Sequence, residues 1–253
     1  MALRIVTYNV LNGARGREDL VVEVLQALSA DVIVLQEVFD EALIARLAHA
    51  LNMESFFARG NSSHHLALLS RWPIDARHSY HPFPPIQQTV LEATIACPGG
   101  QVHIVGVHPV SRPFVLLELW RRWEVKVALE RVVLRYPSPC LLVGDFNASA
   151  PGDSPRIRDL GVLNRLMVLV QGQRIYRFAI RAVLRAGLTD CFRHLHPDDD
   201  GFTYGPPNPV GRIDYIFASA SLAATLTSCF VVRSPSAVDL ASDHYPLVAD
   251  FAL

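Results

Sequence analysis

Along this 253-residue chain a short apolar or β-branched run repeatedly stops at a side chain able to hold a metal ion or a phosphate. Residues 3–8 run into Asn9, 31–36 into Glu37, 101–107 into His108, and 139–143 into Gly144-Asp145-Phe146-Asn147. Toward the C-terminus the order inverts: Arg212-Ile213-Asp214 precedes the run 215–217, and Ser242-Asp243-His244 precedes 245–251. Runs of this length read as buried strands, so the polar groups fall where strands surface at the mouth of a sheet. Meander-like strand pairs occur at 66–70, 76–80, 90–97 and 101–107. Helical periodicity is clearest over 18–28, 41–51 and 114–135, the last offering Leu116, Leu119, Trp123, Val127 and Val133 as an apolar face. Strands between helices in the first third, then meander pairs, predict a mixed sandwich with helices on the outer faces of two sheets.

The polar set gathered at these strand ends is Asn9, Glu37, His108, Asp145, Asn147, Asp214, Asp243 and His244. Hydrolysis of a phosphate ester calls for such a set. A hard cation takes carboxylate oxygen, an attacking water needs a base, and phosphoryl oxygens need donors. Singly, each motif has a plain structural explanation: an Asp-x-Asn after a strand commonly bonds its own backbone in a turn, and a Glu can favour the start of a following helix.

The segments TYNVLNG (7–13), VIVLQEV (32–38), VGVHP (105–109), VGDFNAS (143–149), GRIDYIFAS (211–219) and SDHYPLVADF (242–251) occur in this order over nearly the whole chain. Together they resemble the motifs of the endonuclease/exonuclease/phosphatase superfamily, which includes deoxyribonucleases, apurinic-site endonucleases, sphingomyelinases and inositol polyphosphate 5-phosphatases. The resemblance implies a four-layer α/β/β/α sandwich of two mixed sheets, with the site at the rim where both deliver their strand ends. It also implies metal-dependent hydrolysis of phosphoric esters. On that resemblance Glu37 binds Mg²⁺, with Mn²⁺ as the alternative ion, Asn9 helps hold that carboxylate or the phosphate, and Asp243 is a further metal contact or supports one. Asp145 then orients or deprotonates the attacking water, and Asn147 donates to the phosphate. Asp214 fixes the tautomer of His244, which stabilises the phosphoryl oxygens or protonates a leaving group. His108 matches the deoxyribonuclease, sphingomyelinase and 5-phosphatase branches and argues against the apurinic-site endonucleases. Leu11 stands where some members carry an acid, which favours one ion on Glu37 over a tight pair.

Composition narrows the setting. A hydrophobic content of 51% supplies a large core, and no apolar run reaches membrane-spanning length. The start enters the first strand without a signal-peptide pattern, and Cys97, Cys140, Cys191 and Cys229 are far apart, so the expectation is a single cytoplasmic catalytic domain over 1–253 with buried, reduced cysteines. A net charge of −1 leaves no overall nucleic-acid footprint. The distribution is uneven, however. Residues 156–185 hold seven arginines against one acid, Asp159, so 16 basic and 23 acidic residues remain elsewhere.

Basic and apolar residues interleave over about 154–187, which reads as an insertion of one or two amphipathic helices with Arg outward. Its functional reading is a pocket wall that attracts a polyanionic or membrane-surface substrate, with Arg174, Arg177 and Arg181 on one helical face. Arg212 is placed to meet a phosphate bidentately or to form a structural ion pair. In Trp120-Arg121-Arg122-Trp123 one Trp is expected in the core and the Arg stems over the surface. The leading expectation is a Mg²⁺-dependent phosphodiesterase on a small or lipid-linked diester, with no obligate protein partner. The alternative is a deoxyribonuclease-like nuclease on DNA or RNA; a phosphomonoesterase and a non-catalytic binding module on the same fold rank lower.

Overall fold

The computed structural model describes residues 2–82, 86, 88–135 and 139–253, with no account of the side chains of 132–135. In chain order its elements are β1 (Ala2–Asn9), α1 (Glu18–Leu28), β2 (Val32–Val38), α2 (Glu41–Leu51), β3 (Glu54–Ala58), β4 (His65–Ser70), β5 (Ile74–Tyr80), β6 (Val90–Cys97), β7 (Gly100–Val107) and α3 (Val115–Arg135). There follow β8 (Cys140–Asp145), α4 (Val162–Val170), α5 (Phe178–Arg185), β9 (Thr189–Asp190), α6 (Cys191–Leu195), β10 (Asp214–Ala218), α7 (Ala220–Ala223), β11 (Leu226–Val231), α8 (Val238–Ala241) and β12 (Leu247–Ala252). Two six-stranded mixed sheets result, ordered β11-β12-β1-β2-β4-β3 and β5-β6-β7-β8-β10-β9.

The period of two along each strand sorts side chains into layers. Leu3 and Ile5 of β1, Val32 and Val34 of β2, Ile104 of β7, and Leu141 and Val143 of β8 meet between the sheets in one buried cluster. Their alternates face outward: Val6, Tyr8, Ile33 and Leu35 pack under α1, α2 and α8, while Val105, Leu142, Tyr215 and Phe217 pack with residues of α3 and α5. These are the four layers the sequence implies. Helix α2 begins at Asp40, whose carboxylate accepts from Leu43 N at 2.9 Å, and ends at Asn52 in the left-handed region. The four cysteines are free and buried. Among the described residues no helix is long and apolar enough to cross a membrane.

Helix α3 departs from the expected apolar face. Leu116, Leu119 and Trp120 are exposed, while Glu118, Arg121, Glu124 and Val125 are buried; Trp123 is half-buried against the outer layer, and Val133 lies outside the described side chains. The inward residues clamp the loop after β7. Arg121 pairs with Glu118 and donates to the carbonyls of Val110 and Arg112 (both 2.8 Å), and Glu124 accepts from Val110 N at 2.7 Å. Glu118 also accepts from Ala179 N at 2.9 Å, tying α3 to α5. An apolar-periodicity argument cannot foresee a face whose buried contacts are polar.

Candidate active site

Strands β1 and β8 are central in their sheets, and their ends meet across the sandwich. Asn9 donates from Nδ2 to Glu37 Oε1 and to Asp145 Oδ2, each at 3.0 Å, and its Oδ1 accepts from Leu11 N. It is fully buried and acts as a cross-strut between the two acids. Gly144 allows β8 to approach β7 here: at φ 148° an added Cβ would lie 2.0 Å from the Val107 carbonyl oxygen. Glu37 adopts φ 60°, at the point where the β2–β4 ladder is interrupted between Leu35 and Val38. Its second oxygen accepts from Asn12 N at 2.9 Å and lies 3.8 Å from His64 Nε2. Asn147 and Arg112 also have positive φ, so local backbone strain clusters around this rim.

Asp145 is held from several sides. Its Oδ1 accepts from Asn147 N at 2.8 Å, and its Oδ2 lies 3.5 Å from His108 Nε2 and 3.6 Å from His244 Nε2. Burial alone would raise this carboxyl, but the two imidazoles and the Asn147 N–H outweigh it and bring it down to about 2. His244 shows the converse. Burial disfavours its charge, yet Asp214, whose Oδ2 is 2.9 Å from Nδ1, acts together with Asp145 to lift it to about 10. His108 is likewise raised, because its contact with Asp145 overcomes desolvation. Asn147 donates through Nδ2 to the Pro109 carbonyl at 3.1 Å.

Asp243 is held above the usual carboxylate range, first by burial and then by repulsion from Glu37 and Asp145, with His244 opposing. Its Oδ1 is buried without a hydrogen-bond partner. Carboxylates that repel one another around an unsatisfied oxygen are a donor set short of a cation, and all-oxygen donors suit a hard divalent ion. Asp145, Asp214 and His244 also bring ligand-type atoms within 4.8 Å of one another. That trio is a hydrogen-bonded relay rather than a ligand shell, because the ring Nδ1 already faces Asp214.

The centre opens into a cavity of about 350 Å³ lined by Glu37, His64, Arg112, Asp145, Tyr204 and His244 among others. His64, Arg112 and Tyr204 carried no signal in the sequence. His64 sits in the polar stretch before β4, and Tyr204, in the Pro-rich loop, sets its ring 5.1 Å from that of His244 at a tilt of 57°. Only the assembled topology brings them here.

Arg174, Arg177 and Arg181 lie elsewhere than expected, and Arg212 takes the second of its two expected roles. Arg212 is buried and does not line the cavity; Nε and Nη2 contact Asp153 at 3.1 and 3.2 Å, and Nη1 contacts Asp190 at 2.7 Å. It is the structural ion pair, not the phosphate contact, since two carboxylates already hold its fork. Arg174, Arg177 and Arg181 do not share a helical face. Arg174 is in the exposed loop after α4, Arg177 precedes α5 and donates to the Asp153 carbonyl at 2.6 Å, and Arg181 alone is helical. Helix α5 starts too late to align them.

Two sheets that bring an amide, carboxylates and an Asp-backed imidazole to one rim define a metal-dependent phosphoric ester hydrolase. The chain belongs to the Endonuclease/Exonuclease/phosphatase family, whose model matches residues 6–244. Exodeoxyribonuclease III of Haemophilus influenzae is 25% identical over 276 residues, covering 98% of this chain and 100% of that protein. Among solved structures, a 3'-5' exonuclease (NExo) from Neisseria meningitidis aligns with TM-score 0.77 and 24% identity, and an AP endonuclease from Archaeoglobus fulgidus with 0.76 and 22%. Each alignment covers 99% of this chain and 100% of the other. At these identities the structural likeness is one of fold.

Proposed function

We propose that this protein is a Mg²⁺-dependent phosphodiesterase acting on a small or lipid-linked diester. The carrying observation is Asp145, ionised between His108 and His244 with Asp214 behind the second ring. At about 2 its carboxyl is a weak base, so it aims the attacking water in line rather than stripping its proton beforehand. His244, charged at neutral pH, donates to a non-bridging oxygen or to the leaving group, and His108 and Asn147 face the same charge. Glu37, braced by Asn9, and Asp243 would hold the cation, which when bound supplies Lewis-acid neutralisation of the phosphoryl group. Leu160, Asn164, Ile175 and Tyr176 line one side of the cavity, a largely apolar wall that favours a small or lipid-linked substituent over a strand of nucleic acid. The exposed Arg112, beside the cavity, is the guanidinium available to a substrate phosphate. Free, buried cysteines suit a reducing compartment and hence a cytoplasmic setting.

A nuclease is the second reading, favoured by relatives named as an exodeoxyribonuclease and an AP endonuclease. A panel with Mg²⁺ separates the two: bis-p-nitrophenyl phosphate, sphingomyelin, phosphoinositides, duplex DNA and RNA, with salt titrated on the nucleic acids. Preference for DNA with steep loss of binding in salt would install the nuclease reading. No turnover of any ester with Mg²⁺ or Mn²⁺ would end both.

A further inference from the structure

Packing does not account for helix α4. Of its nine residues only Val168 is buried, while Val162, Leu163, Leu166, Leu169 and Val170 are 50–79% exposed. Further apolar side chains are exposed at the start of α3, where Leu116, Leu119 and Trp120 are 42–65% exposed. Gln171 joins the two segments, accepting from Val115 N at 3.0 Å and donating to the Pro113 carbonyl at 2.8 Å. Eight exposed apolar side chains in one region exceed the scattered exposure ordinary for a monomer.

Positive charge borders this surface. Arg158, Arg165 and Arg174 are exposed on the insertion, and Asp159 is the only acid among residues 156–185. One turn further along α3, Arg122 and Lys126 line a trough with Arg181 and Arg185 of α5.

We infer that this face docks on an anionic lipid bilayer, with α4 lying in the headgroup layer and the surrounding arginines pairing with lipid phosphates. An apolar stripe with a basic border and an amphipathic Trp at its edge suits that interface on all three counts. Nucleic acid fits less well, because valine and leucine offer phosphates and bases neither donors nor stacking faces. A second copy across a two-fold axis would set like arginines against one another. Leu160, Asn164, Ile175 and Tyr176 of the same insertion line the catalytic cavity, so docking brings the cavity rim to the membrane plane.

The docking surface goes beyond the hydrolase reading and has its own readout. Sucrose-loaded vesicles of phosphatidylcholine, alone or mixed with phosphatidylglycerol, are sedimented with the wild-type protein, with Leu166→Ser/Leu169→Ser/Val170→Ser, and with Arg158→Glu/Arg165→Glu. The wild type should bind the anionic vesicles at least about tenfold more tightly than the neutral ones, and each variant should lose about tenfold or more on the anionic vesicles. Hydrolysis of bis-p-nitrophenyl phosphate should be unchanged in both variants, which shows that fold and site are intact. Wild-type protein that binds neither vesicle, or serine and charge-reversal variants that bind as well as wild type, overturns the inference. So does a wild-type dimer that the serine variant renders monomeric. Vesicle binding without turnover of any ester in the panel would support docking while removing the hydrolase reading.

Discussion

Asp214→Asn is the sharpest test of the catalytic assignment. The substitution keeps the side-chain shape at the first residue of β10, opposite Asp145 in the ladder, and an Asn oxygen can still accept from the ring Nδ1–H. It removes a charge 2.9 Å from His244. At an effective dielectric of about 20 that pair is worth roughly 6 kcal/mol, or about 4 pKa units, the largest of the attractions that hold His244 up at about 10 against its burial. Burial then works against Asp145 and Asp243 alone, and the ring should titrate near or below neutrality. The profile of kcat/KM against pH on a soluble diester should therefore change shape. The variant should lose about 10²–10³-fold above neutral pH and recover part of that loss as acid restores the imidazolium. The wild type should keep the charged form until the pH climbs through about 10. The same sign governs stability: a pKa raised on folding gives stabilisation that is complete below the ordinary His value and lost on passing the folded one. Profiles parallel in pH, or turnover within a few-fold of wild type, would refute the charged-imidazole assignment. Circular dichroism melts of both proteins check that the fold is intact.

Three further outcomes follow from single contacts. Glu37→Gln should weaken Mn²⁺ binding in calorimetry by about tenfold or more, because a hard ion loses its anionic ligand; unchanged affinity would move the cation elsewhere. Asp153→Ala leaves the buried Arg212 half-paired and also strips an ion pair from Arg193, so urea denaturation should show a loss of about 3–5 kcal/mol. A loss under about 1 kcal/mol would mean that water replaces the carboxylate. Gly144→Ala drives a methyl into the Val107 carbonyl and should cost about 3 kcal/mol or more and depress turnover through Asp145, readable as a lowered Tm with lowered kcat. Wild-type behaviour would show that β7 and β8 can separate freely.

The strand ends were legible because burial on both faces gives continuous apolar runs, and a polar residue ending such a run has few places to go but the rim. Helices α1 and α2 match the periodic segments because each lays a single apolar stripe on a sheet. Arginine fates were not legible. Asp153 and Asp190 lie 59 and 22 residues from Arg212 in sequence, and only the close of the sheet around Tyr215 brings the three together. In α3 the buried Glu118 and Arg121 invert the face that Leu116 and Leu119 suggest, since satisfying backbone groups of the 108–114 loop outweighs covering two leucines.

The site itself is a seam between two like halves. In one sheet β1 lies between parallel β2 and antiparallel β12; in the other β8 lies between parallel β7 and antiparallel β10. Equivalent places then carry complementary groups: Asn9 with Asp145 at the ends of the central strands, Glu37 with His108 within or just past the ends of the parallel neighbours, and His244 with Asp214 ahead of or at the start of the antiparallel ones. Each pair sets a donor or cation against a carboxylate, so the polar rim pulls the halves together where the apolar layer between the sheets ends. Neither half holds a complete set. The chemistry therefore depends on the packing of Ile5, Val34, Leu141 and Val143 between the sheets, because a shift of one sheet against the other would part Asn9 from Asp145 while leaving every strand ladder intact.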